Sequence, residues 1–311
     1  MHKPNSDSIL DTEGWKTINW RKVEKYVFKL QKRIYAASRC GDVKLVRKLQ
    51  HTLMNSWSNK ALAVRRVTQD NQGKKTAGVD GVKSLSPEAR LDLTGRLRLT
   101  GKSKPTRRVW IPKPGKDEKR PLGIPTMYDR ALQGVVKTAL EPEWEALFEP
   151  NSFGFRPGRS CHDAIWQVKN CIQGKAKYVL DADISRCFDQ INHNALLQKL
   201  NLKGKFRQQI KAWLNSGVID SGAFTPTSEG TPQGGVISPL LANIALHGLE
   251  ERIKQFAETL ELRYPRGTRM KTEDKRNSLS LVRYADDFVL LHKDLTVVQR
   301  CREMCDSLAR N

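Results

Sequence analysis

The chain has no apolar run long enough to span a bilayer, and Met1 to Trp20 is polar, without the pattern of a secretion signal. No basic amphipathic segment stands beside an apolar anchor, which argues against a membrane partner. Cysteine is sparse. Cys40, Cys161, Cys171, Cys187, Cys301 and Cys305 include no Cys-x-x-Cys pair, and the one-turn spacing of Cys301 and Cys305 is more often packing than a metal site. This usage suits a reducing, cytoplasmic setting. Internal repeats, a Walker loop and zinc-ligand patterns are all missing. Acidic residues are the scarce charge: 33 Asp and Glu stand against 55 Lys and Arg in 311 residues, a net +22. The excess is uneven, because residues 1–120 carry +18 and residues 121–311 only +4. A polyanionic partner follows, gripped mainly by the N-terminal part.

The acids that are present cluster. Arg283-Tyr284-Ala285-Asp286-Asp287 lies between Leu279-Ser280-Leu281-Val282 and Phe288-Val289-Leu290-Leu291, two β-prone runs around a short polar break. That pattern reads as a tight hairpin with the two carboxylates at its tip. Adjacent carboxylates repel unless one protonates or a cation neutralises them, and oxygen ligands suit magnesium. Alone, the pair is equally an Asp-rich turn. A second set occurs in Tyr178-Val179-Leu180-Asp181-Ala182-Asp183-Ile184-Ser185-Arg186-Cys187-Phe188-Asp189, where an apolar strand runs into acids. The two-residue period puts Asp181 and Asp183 on one strand face, and Asp189 falls beyond in a turn or helix start. A strand carboxylate beside a hairpin carrying two more is the layout of a two-metal phosphoryl-transfer site.

In this arrangement the chain resembles the reverse transcriptases encoded by bacterial and organellar group II introns. Three further motifs occur in the family's order. Arg107-Arg108-Val109-Trp110-Ile111-Pro112-Lys113-Pro114-Gly115 and Lys119-Arg120-Pro121-Leu122-Gly123-Ile124-Pro125 read as a basic hairpin and match the family's fingers. Thr76-Ala77-Gly78-Val79-Asp80-Gly81 resembles its template-side segment, and Gly230-Thr231-Pro232-Gln233-Gly234-Gly235 carries its Pro-Gln-Gly motif. The glycines Gly73, Gly78 and Gly81 would let the backbone approach a ligand closely, a plain linker being the bland alternative.

The resemblance implies an α+β right-hand polymerase. A helical N-terminal extension would come first, then fingers, then a small antiparallel palm sheet covered by helices. The divisions fall at residues 1–66, 67–177 and 178–311. It implies RNA-directed DNA synthesis from a DNA primer on an RNA template, with deoxynucleoside triphosphates as substrate and intron RNA as a further partner for splicing and retrohoming. Asp183, Asp286 and Asp287 would be catalytic. With the Ile184 carbonyl they would hold two Mg2+ ions, for which Mn2+ could substitute. Lys113, Arg120, Phe188 and Gln233 would meet the nucleotide: the cations its phosphates, and Phe188, five residues past Asp183, the sugar face that excludes a 2′-hydroxyl. Arg107, Arg108, Arg156, Arg159 and Gly234 would contact nucleic acid. Asp181 is left out of the set as too far down its strand, and Phe153 and Phe155 are assigned to the core.

The remaining elements follow from periodicity. Val23, Val27, Leu30 and Ile34 form a helical stripe among Lys22, Lys25, Lys29, Lys32 and Arg33, Gly41-Asp42 ends it, and Val43, Val46, Leu49 and Leu53 begin another. Further helices are expected over 129–149, 162–172, 239–253 and 295–310, and residues 263–277 read as an exposed basic insertion. His193 and His292 read as ordinary histidines. The family continues past its palm into a thumb and maturase region that these residues do not include. The expectation is a weak grip on primer and template and low processivity, unless a second chain supplies the thumb. A non-catalytic, RNA-binding maturase fragment and a retron-type enzyme remain the alternative readings.

Overall fold

The structure of the protein, a computed structural model, describes residues 14–309 apart from 114, 116 and 175, with side chains through Cys305. Pro114 of the fingers motif, the first thirteen residues and Arg310 lie outside the described residues. In chain order, α1 (Trp20–Arg39), α2 (Val43–Asn55), α3 (Trp57–Arg65) and α4 (Pro87–Arg96) precede a hairpin of β1 (Thr106–Pro112) and β2 (Lys119–Ile124). After α5 (Met127–Glu145) and α6 (Cys161–Ile172) come β3 (Tyr178–Asp183), α7 (Cys187–Gln190), α8 (His193–Leu200) and α9 (Gly204–Leu214). The strands β4 (Val218–Asp220) and β5 (Ala223–Thr225) lead to α10 (Ser238–Leu246), α11 (Leu249–Thr259) and α12 (Thr272–Ser278). The chain closes with β6 (Ser280–Tyr284), β7 (Asp287–His292) and α13 (Leu295–Ala309). The fold is α+β.

Contacts group the chain into two units, residues 1–147 with 191–238, and residues 148–190 with 239–311. Neither unit is a continuous stretch, unlike the linear division expected from the motifs.

In the first unit, helices α1, α2 and α3 pack against α5. The stripe Val23, Val27, Leu30 and Ile34 is buried as its period requires, while the intervening Lys22, Lys25, Lys29, Lys32 and Arg33 face solvent. Asp42 caps α2 by accepting from the Leu45 N–H at 2.9 Å, which is why the chain turns after Gly41. Polar pins then fix the bundle in register. Pro142 sits inside α5 and has no N–H to give the Thr138 carbonyl. The Gln31 side chain donates to that carbonyl instead, at 3.1 Å. One turn on, buried Glu143 accepts from Arg47 at 2.6 Å and from Gln50 at 2.8 Å, and Asn59 donates to the Val135 carbonyl at 3.1 Å. A buried polar group stripped of its partner costs about 1–3 kcal/mol, so these pins select one packing among the apolar alternatives.

The same unit contains a sheet ordered β2-β1-β4-β5, with β1 parallel to β4 and the other pairs antiparallel. The β1–β2 hairpin matches the sequence expectation, whereas α4, α8, α9, β4 and β5 were not anticipated. The loop carrying Gly73, Gly78 and Gly81 corrects one expectation. A Cβ on Gly78 would lie 2.7 Å from the Pro125 carbonyl oxygen and 2.8 Å from the Thr126 Cα. The close approach is thus to the chain's own backbone. Arg130 clasps the loop through the carbonyls of Gly73 (2.9 Å) and Thr76 (2.8 Å), and Asp80 accepts from the Met127 N–H at 3.3 Å.

In the second unit a three-stranded antiparallel sheet, ordered β3-β7-β6, is covered on one face by α11 and α13 and on the other by α6. The helix expected over 239–253 is two helices, broken at His247 and Gly248, whose φ of +97° no right-handed helix accommodates. The basic stretch 263–277 is exposed at Arg263, Arg266, Arg269 and Lys271, as expected, but its end is not irregular. It holds α12, and there Arg276 forks onto Glu251 at 2.7 Å and Glu258 at 2.5 Å, which ties that one cation into the fold.

Gly78→Ala should displace the loop from Pro125–Thr126 and lower stability by about 1–3 kcal/mol, the usual cost of overpacking, read as a lower urea midpoint. An unchanged midpoint would contradict the docked loop.

Candidate active site

The hairpin of β6 and β7 closes on two residues, Ala285 and Asp286, because Tyr284 pairs with Asp287 across the ladder. Only Asp286 is therefore at the tip, and Asp287 is the first residue of β7. On its other side Asp287 pairs with Asp183, the last residue of β3, and Asp181 pairs with Val289 two steps down. The Ile184 N–H donates to the Asp286 carbonyl at 3.3 Å, which joins the end of β3 to the turn. Three carboxylates from distant parts of the sequence thus meet at one end of the sheet.

Their charges are felt. Partial burial pushes the Asp287 carboxyl above the ordinary carboxylate range, and Asp183, Asp286 and Asp181 push it further. Asp181, left out of the catalytic set, is still felt at Asp287 as the smallest of these charges. Burial, with the charge of Asp286 and then Asp183, lifts the Cys187 thiol to about 11, so it stays protonated and is no nucleophile. Among the described residues, Asp181, Asp183, Asp286 and Asp287 form no ion pair with Lys or Arg. Also among the described residues, no three His, Cys, Asp or Glu groups stand in ready metal-ligand geometry. The fit to a divalent cation thus rests on donor chemistry: hard carboxylate oxygens whose mutual repulsion no Lys or Arg ion pair relieves among the described residues. The Ile184 carbonyl already accepts from the Cys187 N–H at 3.1 Å and has one lone pair left.

The turn is held from behind by a residue the motif reading did not single out. Arg283 is 1% exposed. Its guanidinium donates to the Ala285 carbonyl at 2.8 Å, the Asn243 Oδ1 at 3.1 Å and the Ser152 hydroxyl at 2.7 Å. Its backbone pairs with 151–153: the Arg283 N–H donates to the Asn151 carbonyl and the Phe153 N–H to the Arg283 carbonyl, both at 2.9 Å. Asn243 closes the ring by donating to the Gly154 carbonyl at 2.7 Å. Gly154 lies so near the turn that a Cβ there would be 2.3 Å from the Ala285 nitrogen. Ala285 is held at φ +59°, a region where a non-glycine residue costs on the order of 1–3 kcal/mol.

The 151–159 loop departs from expectation in two places. Arg156 is 6% exposed and donates to the carbonyls of Glu149 (2.9 Å) and Ser152 (2.6 Å). Arg159 donates to the Pro150 carbonyl at 2.6 Å and lies 5.2 Å from the Phe153 ring. Both clasp their own loop, Arg156 fully buried in it and Arg159 half-buried. Phe153 is buried as expected, but Phe155 is 48% exposed with φ +59°, and its ring meets that of Phe188 edge-on at 6.1 Å.

The other expected site residues belong to the first unit. Lys113 pairs with Glu118 across the hairpin at 2.6 Å, while Arg120, opposite Ile111, is exposed. Arg107 donates to the Ala77 carbonyl at 2.9 Å, and Arg108 lies 5.7 Å from the Trp110 ring. The Pro-Gln-Gly loop docks on β2 through the Gly123 N–H, which donates to the Gln233 carbonyl at 2.6 Å. Buried Gln133 supports it by accepting from the Val236 N–H at 2.8 Å, and Gly234 is exposed.

Residues 111–311 match the family model described as reverse transcriptase (RNA-dependent DNA polymerase), and residues 15–97 match the N-terminal domain of reverse transcriptase. The chain belongs to the reverse transcriptase family. Its relatives include the protein YkfC of Escherichia coli, 36% identical over 273 residues that cover 77% of this chain and 70% of YkfC. The group II intron-encoded protein LtrA of Lactococcus lactis is 40% identical over 191 residues, 60% of this chain and 32% of LtrA. Maturase-like protein 1 of Euglena gracilis is 31% identical over 261 residues, covering 78% of this chain and 53% of that protein. The chain thus spans about a third of LtrA and half of the maturase-like protein. Reverse transcriptases generally use divalent metal ions, in keeping with the uncompensated carboxylates. No helix among the described residues is long and apolar enough to cross a membrane.

Arg283→Met should lower stability by about 1–3 kcal/mol by orphaning the Ala285 carbonyl and Asn243 Oδ1, measured by urea unfolding. Arg283→Lys should recover little of it, since an ammonium cannot fork onto three partners. Full recovery by lysine would mean that charge alone matters there.

Proposed function

We propose that this chain is the N-terminal extension, fingers and palm of a group II intron-encoded reverse transcriptase. It would add deoxynucleotides to a DNA primer on an RNA template and bind intron RNA for splicing and mobility. The observation that carries this is the pairing of Asp183 with Asp287 beside Asp286 in a turn clamped by Arg283. Asp183, Asp286 and Asp287, with the Ile184 carbonyl, are the groups that would hold two magnesium ions, for which manganese could substitute. Such ions supply activation of the attacking hydroxyl and charge neutralisation at the leaving group. The chain's own work is to hold the carboxylates in place before substrate arrives, which costs no reorganisation at the moment of reaction.

Arg120, exposed on the flap, is the stronger candidate for the triphosphate, and Lys113 would have to leave Glu118 to join it. Phe188 takes the sugar face, and the Pro-Gln-Gly loop with Gln233 and Gly234 takes the base side. The RNA grip falls on α1, whose exposed Lys22, Lys25, Lys29, Lys32 and Arg33 stand beside exposed Phe28, Tyr26 and Tyr35. Cations interleaved with aromatic rings suit unpaired nucleotides, phosphate on one and base on the other. Arg107, Arg108 and Arg159 remain candidates for nucleic-acid contact, whereas buried Arg156 drops out. The thumb would come from further sequence or a second chain.

Primer extension on a primed RNA template, with magnesium and deoxynucleotides, decides the matter. Asp286→Ala should abolish extension while intron RNA binding persists. Arg120→Ala should raise the KM for deoxynucleotide by about 10- to 100-fold, the loss of a charge-assisted phosphate contact. If the unaltered protein binds intron RNA tightly but extends no primer under any divalent ion, the RNA-binding reading replaces this one.

A further inference from the structure

Phe155 is hard to account for by packing. Its ring is 48% exposed, in a loop whose other phenylalanine, Phe153, is 7% exposed. Its backbone is in the left-handed region at φ +59°, which a bulky side chain rarely adopts unless its surroundings force it. The flanking residues do force it. On one side the Gly154 carbonyl accepts from Asn243 at 2.7 Å, and Gly154 abuts Ala285 too closely for any Cβ. On the other side the Arg156 guanidinium is anchored to the carbonyls of Glu149 and Ser152. Phe155 is thus fastened to the same turn that carries Asp286. Its ring is turned away from the core and onto Phe188, at 6.1 Å between centroids and 80° between planes. An edge-to-face contact fixes the orientation of the ring it touches.

We propose that Phe155 is a positioning residue for sugar discrimination. By bracing Phe188 it keeps that ring at a set height and tilt, so the strained loop links the geometry of the carboxylate turn to the surface that rejects a ribose 2′-hydroxyl. This inference rests on the assignment of Phe188 to the nucleotide sugar. An unbraced Phe188 can tilt aside to admit the extra hydroxyl, and selectivity falls although every carboxylate is intact.

The test compares kcat/KM for a deoxynucleoside triphosphate with that for the matching ribonucleoside triphosphate on a primed RNA template. The variants are Phe155→Gly, Phe155→Tyr, Phe188→Ala and the double variant Phe155→Gly/Phe188→Ala. Glycine accepts the positive φ without strain, so Phe155→Gly removes the ring and leaves the loop its conformation. Phe155→Gly is expected to reduce the deoxy-over-ribo preference by roughly three- to tenfold, the worth of one aromatic pair. Its unfolding midpoint and its KM for primer–template should stay as they were. Phe155→Tyr keeps the ring edge and should keep the preference. The double variant should match Phe188→Ala alone, because the brace has nothing left to hold. If Phe188→Ala lowers the preference but Phe155→Gly does not, the brace is wrong and the sugar assignment stands. If Phe188→Ala leaves the preference unchanged, the sugar assignment fails and takes the inference with it. Additive losses in the double variant would also overturn the brace, by showing that Phe155 acts on its own.

Discussion

The Arg283 guanidinium, buried behind the β6–β7 turn, is the contact on which the arrangement of the carboxylate end depends. A charge taken out of water is tolerated only when its donors are met, and here the partners lie on separate pieces of chain: the turn, α10 and the 151–153 segment. Burial lowers the guanidinium's proton affinity, opposed first by the charge of Glu149, yet arginine stays protonated at any physiological pH. The planar fork therefore acts as a fixed jig. It sets where the Ala285 carbonyl lies, and through it where Asp286 and Asp287 project.

Around that jig the protein concentrates what is unfavourable. Three carboxylates and a fourth two residues away repel one another, with no ion pair to Lys or Arg among the described residues to relieve them. Non-glycine residues with positive φ at Phe155, Arg186 and Ala285 all lie on the segments that build this end of the sheet. Strain and repulsion of this kind persist only where neighbouring contacts over-determine the structure. The Arg283–Asn243–Ser152 ring and the Gly154 approach supply that constraint. Stored repulsion of this sort is what a site needs in order to bind divalent cations between carboxylates.

Much of this was legible in the residues. The period-two run ending in Asp183 and the hairpin around Asp286–Asp287 are local patterns, set by alternation and turn chemistry, and the structure has both. The stripe in α1 and the basic flap are local in the same sense. The errors share a cause. Arg156 looks like a nucleic-acid contact because composition counts charge and cannot show which carbonyls lie within reach. Gly78 looks like a ligand contact because a glycine reports only that something comes close. Phe155 was consigned to the core because hydrophobicity is a prior on burial, which a strained backbone overrides.

The order of the motifs determined the family, the α+β class and the identity of the acids, since each rests on neighbours in sequence or on a fixed period along one element. Tertiary structure decided the rest. It brought Asp183 opposite Asp287 although about a hundred residues separate them, a matter of strand register that no local pattern encodes. It showed that Asp181 is within electrostatic reach, that Arg283 faces inward to pin the turn, and that the Phe155 ring faces outward onto Phe188. Direction is the reason: a residue's type says what bonds it can make, and only the packed chain says which partner stands in front of it.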